Sequence, residues 1–140
     1  MKDRFLLDRF VSAQDDVMSQ VLAELRAGAK RSHWMWFIFP QMKGLGHSPQ
    51  SLFYGIGSLE EATAYLQHPV LGPRLRECTR LINAVEGRGI REILGSPDDL
   101  KFRSSMTLFA RAAEDDTVFR AALDKYFAGK ADPLTMELLR

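Results

Sequence analysis

The sequence predicts an all-α fold: a compact single-domain bundle spanning residues 1–140, of about six or seven helices with one long glycine-containing loop. Three observations carry this. Apolar residues recur at three- and four-residue spacing along most of the chain, and Ser, Asp, Pro and Gly stand where helices begin and end. No stretch beyond one short piece alternates apolar and polar residues as a half-buried strand would. A hydrophobic share of 46% in 140 residues is enough for one core and gives no reason to divide the chain.

Taken in order, Leu6, Leu7, Phe10 and Val11 form one apolar stripe, and Val17, Val21, Leu22 and Leu25 form a second after the polar break at Gln14-Asp15-Asp16. Two helices, or one kinked helix, follow, with Asp15 or Asp16 as cap of the second and Gly28 as its stop. Ser32 is the expected N-cap of an aromatic helix that Pro40 ends. Gln41 to Gly57 reads as the long loop, around a short apolar piece at Leu52 to Tyr54. Ser58-Leu59-Glu60-Glu61 has the pattern of a reciprocal capping box. Pro69 fits the first turn of a helix whose apolar side is Leu71, Leu75, Cys78, Leu81, Ile82 and Val85, with Arg74 and Arg76 facing water. Gly87 to Gly95 is a turn region, and Ser96-Pro97-Asp98-Asp99 starts a helix that turns Phe102, Met106, Phe109 and Ala113 inward. Asp115 or Asp116 opens another, stopped by Gly129, and Asp132-Pro133 opens the last.

The composition excludes several classes of function. Nineteen basic residues against 18 acidic ones leave a net charge of +1, too little to draw nucleic acid or a lipid surface. The longest apolar run, Trp34 to Pro40, falls far short of the ~20 residues that a membrane span requires, so no membrane association is expected. With one cysteine and no leader-like N-terminus, the expected location is the cytoplasm. His33, His47 and His68 lack the spacing of metal ligands, and neither a metal nor a cofactor is expected. The oligomeric state is not legible.

Candidate site residues concentrate in Lys30-Arg31-Ser32-His33-Trp34-Met35-Trp36-Phe37-Ile38-Phe39-Pro40-Gln41, which holds both tryptophans. A helix so apolar on every side either lies in the core or lines a cavity. In the second case Trp34 or Trp36 supplies a flat wall on which a ring can stack. Lys30, Arg31, Ser32 and His33 would form an anion cradle at its N-terminus, with Gln41 beyond its end. Lys101, Ser104 and Ser105 share one side of a later helix and are candidates for the same ligand, although serines there also bond back to their own helix. His33 is the candidate general acid or base. Gly44-Leu45-Gly46 matches no phosphate-loop or dinucleotide fingerprint and reads as a tight turn.

The stretch from Lys30 to Gly46, with His68-Pro69-Val70-Leu71-Gly72 and Asp98-Asp99-Leu100-Lys101 through Ser104-Ser105-Met106-Thr107-Leu108-Phe109, resembles the bacterial family catalogued as domain of unknown function 1810. The resemblance covers nearly the whole chain and implies a mainly helical domain, with no established reaction and no catalytic residues to transfer. It also implies a fold like that of helical domains that act on ADP-ribose or related nucleotide derivatives. The expected function is accordingly to bind or process a small anionic, nucleotide-like ligand. The alternative is a non-enzymatic interaction module that presents the aromatic run and the following loop to a protein partner.

Overall fold

Helix α8 (Asp98–Ala112) runs through the middle of the molecule because its stretch from Ser104 to Phe109 is wholly apolar or small. Phe102, Met106, Leu108 and Phe109 are all fully buried. A computed structural model describes residues 3–140. Around α8 stand α1 (Asp8–Asp15), α2 (Met18–Ala27), the short α3 (Met35–Ile38) and α4 (Pro49–Tyr54), then α5 (Leu59–Gln67), α6 (Leu71–Ala84) and the single-turn α7 (Ile90–Leu94), and finally α9 (Thr117–Phe127) and α10 (Pro133–Leu138). α5, α7, α9 and α10 pack directly on α8, α6 closes against α2, α5 and α9, and α1 covers α3. The fold is all-α, with ten helices among the described residues, six of them of eight residues or more.

The larger count comes from short turns within stretches expected to be irregular. Ser48 accepts a hydrogen bond from the Ser51 N–H at 3.1 Å, and Pro49 sits in the first turn, so the expected loop contains α4. A lone parallel bridge between Met42 and Ile56 then closes the segment back on itself. The Glu92 carboxylate accepts from the Gly89 N–H at 3.1 Å and starts α7 in the expected turn region.

Several starts use other groups than expected. Ser32 does not cap α3, which begins only at Met35 and lasts one turn, because the Ser32 hydroxyl is bonded to Glu24 instead. Pro69 precedes α6, whose start is secured by the His68 ring, its Nδ1 accepting from the N–H groups of Val70 and Leu71 at 3.1 and 3.2 Å. Pro97, without a side-chain oxygen, holds the position before α8, so Ser96 makes no cap there. Val17 does the same before α2, in place of either aspartate. At the box opening α5, Ser58 accepts from the Glu61 N–H at 3.1 Å, but Glu61 accepts from the Gly57 N–H one residue upstream. Arg74 reaches Asp15 at 2.9 Å, and Arg76 donates to the Asp115 carbonyl at 3.0 Å, so both tie α6 to neighbours.

The core is strongly aromatic. Phe102 meets Phe39 edge-on at 5.0 Å, Tyr65 meets Phe10 edge-on at 5.1 Å, and Phe109 lies between Tyr65 and Phe119 at 5.3 and 6.0 Å. Such geometries favour ring contacts beyond the area they bury. Cys78 is buried with them, and burial, with Glu77 adding to it, pushes its thiol up to about 12, which leaves it a packing residue.

α5 and α6 approach so closely at Gly72 that a Cβ there would stand 2.1 Å from the Leu66 carbonyl oxygen. In an open helix, Gly to Ala stabilises by about 0.5–1 kcal/mol. Here the obstacle is backbone, which cannot turn aside, so Gly72→Ala is expected to destabilise by about 3 kcal/mol. Urea unfolding of the variant checks this, and a midpoint at or above that of the native chain would contradict the close approach.

Candidate functional site

The turn from α2 into α3 is built on one carboxylate. Glu24 is 7% exposed and accepts from the N–H groups of Arg31 and Ser32 at 2.7 and 3.1 Å, from the indole N–H of Trp34 at 3.0 Å, and from the Ser32 hydroxyl. Burial alone would raise its pKa, but these donors, led by the Ser32 hydroxyl, outweigh it and hold the carboxyl down at about 2. Of the segment expected to form an anion cradle, Arg31 and Ser32 thus turn their donors inward onto Glu24. Lys30 is likewise paired internally, 2.9 Å from Asp98, with its ammonium 5.1 Å from the Trp34 ring centroid. Trp34 is core, at 1% exposure. His33 is exposed on the turn and lines neither of the cavities described below.

One residue pair further along, the aromatic run changes role. Trp36 is only partly buried, and its ring sits 5.4 Å from the Lys101 ammonium. With Gln41, Ser51, Tyr54 and Gly55 these side chains line a crevice of about 10 Å³, room for about one water molecule. Gln41 and Lys101 also line a wider groove of about 410 Å³, bounded by Leu45, Gly46, Leu100, Arg103, Ser104 and Leu134. Gln41 and Lys101 are common to both, so the crevice, against α3 and α4, and the groove, between the Gln41–Gly46 segment, the start of α8 and α10, are neighbours and together make up the candidate cleft.

The walls are held by bonds from outside the cleft. Arg9 donates to the carbonyls of Phe53 and Gly55 at 2.8 and 3.2 Å, on either side of Tyr54, and pairs with Glu61 at 2.8 Å. Gln14, itself buried, donates to the Phe37 carbonyl at 2.7 Å and to the Tyr65 hydroxyl at 3.1 Å. Gln41 is positioned by its own backbone, whose carbonyl accepts from the Ile56 N–H at 2.9 Å. On the far wall, Ser104 donates to Asp132 at 3.0 Å and the Asp132 N–H donates to the Thr107 hydroxyl at 2.9 Å, fixing the start of α10. Asp132 caps that helix through the Thr135 N–H at 3.1 Å.

The fold thus brings together Trp36, Gln41, Lys101 and Ser104 of the candidates. Lys30, Ser32 and Trp34 are engaged around Glu24 and Asp98, and Ser105 is fully buried with its hydroxyl unpartnered. Ser51, Tyr54, Leu45, Arg103 and Leu134 belong to the cleft without having been expected there. The Ser48-Pro49 start signal was available to place Ser51 and Tyr54 on a helix; nothing local marks the others. Among the described residues, no group of three or more His, Cys, Asp or Glu is arranged to hold a metal ion, and no helix is long and apolar enough to cross a membrane.

A family model described as "Protein of unknown function (DUF1810)" matches residues 4–139. The crystal structure of the conserved hypothetical protein Rv1873 from Mycobacterium tuberculosis is 61% identical and superposes with a TM-score of 0.97, over 98% of this chain and 98% of that one. No curated protein matches.

Glu24→Gln keeps the shape but turns an amide donor onto groups that are themselves donors. It is expected to cost about 2–3 kcal/mol at neutral pH, as lost hydrogen bonds to a charged, buried acceptor do. The native carboxyl titrates at about 2 against 4.5 as its ordinary value. Its stabilisation is therefore complete above that ordinary value and is lost as pH falls through it towards 2. Urea unfolding across pH should show the gap between the native chain and the variant closing in acid. A gap that stayed constant down to about pH 2.5 would contradict the assignment.

Proposed function

We propose, for a chain that belongs to the DUF1810 family of proteins of unknown function, that the cleft of Trp36, Gln41, Lys101 and Ser104 binds a small anionic ligand. The observation that carries the reading is the state of the Lys101 ammonium. It lies 3.7 Å from Asp98, too long for a firm ion pair while Lys30 holds the same carboxylate at 2.9 Å, and it faces the partly exposed Trp36 ring. Lys101 is the cation of this region best placed to receive an external anion, with Gln41 beside it as a two-way hydrogen-bonding group; the Trp36 ring backs the ammonium, and Ser104, bonded to Asp132, belongs to the wall. Family resemblance alone brings nucleotide-like compounds related to ADP-ribose into the panel of anions to be tested. The proposal is one of binding in the cytoplasm. His33, outside the cleft, is given no catalytic part in it.

A second reading has one observation in its favour. Leu100 and Leu134, both on the groove, are 57 and 66% exposed, and exposed apolar side chains of this kind suit a protein partner.

Titration with a panel of small anions, followed by tryptophan fluorescence, tests the first reading. A saturable change is expected that disappears in Lys101→Ala, while unfolding stability moves by no more than about 1 kcal/mol, as befits a partly exposed charge held by one long ion pair. Absence of any response at millimolar concentrations across the panel would end it. Capture of a protein partner, lost on Leu134→Ser but retained in Lys101→Ala, would favour the interaction module.

A further inference from the structure

Resting on the anion-binding reading above, we infer that the ligand class is a singly charged anion with an apolar body, such as an aromatic or branched aliphatic carboxylate. A pyrophosphate-bearing nucleotide does not fit this site. The argument begins with charge. Among the side chains lining the groove, Lys101 and Arg103 are positive and Asp132 is negative, an excess of one positive charge. Arg103 is already committed, donating to the carbonyls of Lys130 and Ala131 at 2.9 and 3.0 Å. Lys30, the next cation inward, is neutralised by Asp98 at 2.9 Å and is nearly buried. Lys101 alone is left to face the ligand's charge. A pyrophosphate carries about two charges and calls for several forked or convergent donors, typically Arg or a run of backbone N–H groups. A carboxylate needs one ammonium and one amide donor, and Lys101 with Gln41 supplies these.

Most of the remaining groove wall is apolar. Leu45, Pro97, Leu100 and Leu134 line it, and the two exposed leucines lose water-facing area if covered. Removing apolar surface from water is favourable by about 25 cal/mol per Å², so the walls select a body without further charges. The inner crevice, with room for about one water, is too small for a ring. The anionic head therefore sits at the mouth, where crevice and groove share Lys101 and Gln41, and the body extends outward along the leucines.

A free acid and the C-terminus of a peptide ending in leucine share this chemistry, so the test carries both. Binding of 4-phenylbutyrate, N-acetyl-Leu-Leu, the amide of each, acetate and ADP-ribose is measured by amide-shift titration of the native chain, Lys101→Met and Leu134→Ser. Each acid is expected to bind about ten-fold or more tighter than its own amide and than ADP-ribose, and Lys101→Met should erase the preference for acid over amide. Leu134→Ser should weaken the two apolar acids several-fold and leave acetate unchanged. The tighter of the two acids identifies the source, and either order supports the class. ADP-ribose binding as tightly as the acids through Lys101 would overturn this inference and leave the anion-binding reading standing. If no compound shifts the amides of the cleft, both fall together.

Discussion

The buried carboxylate of Glu24 sets the course of the chain between α2 and α3, and the cleft depends on that course. An ionised carboxylate taken out of water is costly unless donors surround it. Here two backbone N–H groups, a hydroxyl and an indole N–H converge on it, and all come from the three residues Arg31, Ser32 and Trp34. Once the Trp34 indole is tied to Glu24, its ring lies in the core, with the Phe39 ring 6.2 Å away, and the helical turn from Met35 to Ile38 directs Trp36 to the other side. One buried interaction therefore separates the two tryptophans into a packing residue and a wall. It also satisfies the positive end of the segment, so an external anion finds no vacancy there.

A similar economy governs the cations. Lys30 and Lys101 compete for Asp98, and Lys30 has the shorter contact. Arg9 spends its guanidinium on the backbone around Tyr54 and on Glu61, and Arg103 spends its own on the entry to α10. These arginines act as clamps for the cleft's walls, since the planar fork suits several carbonyls at once. Lys101, a point charge on a flexible stem lying over a ring, is left in a position to respond to a ligand.

Much of the fold was legible because local chemistry and tertiary packing agree. The Phe102, Met106 and Phe109 stripe is buried as its spacing requires, Gly28 adopts the left-handed conformation that ends α2, and Asp132 caps α10. The failures occur where a side chain is claimed from a distance. Ser32 had every attribute of a cap, yet Glu24, eight residues earlier on a helix whose outer face is polar, took its hydroxyl. His68 as the start of α6 is a ring doing work usually done by a hydroxyl or carboxylate, and no composition rule suggests it. Of the cleft, rings and polar groups crowded into one short run pointed to Trp36 and Gln41, and the polar side of a later helix pointed to Lys101 and Ser104. The leucines of its outer wall come from α8 and α10, where an isolated exposed leucine is unremarkable until the two helices are placed side by side.

The division of the two tryptophans offers the most direct test of this account. Each indole N–H gives its own resonance in a nitrogen-15 correlation spectrum, so the two rings report separately on core and cleft. Addition of 4-phenylbutyrate is predicted to shift the Trp36 indole signal progressively to saturation while the Trp34 signal, held by Glu24, stays in place. A shift of Trp34 with Trp36 unmoved, or saturable shifts confined to residues outside the cleft, would contradict it.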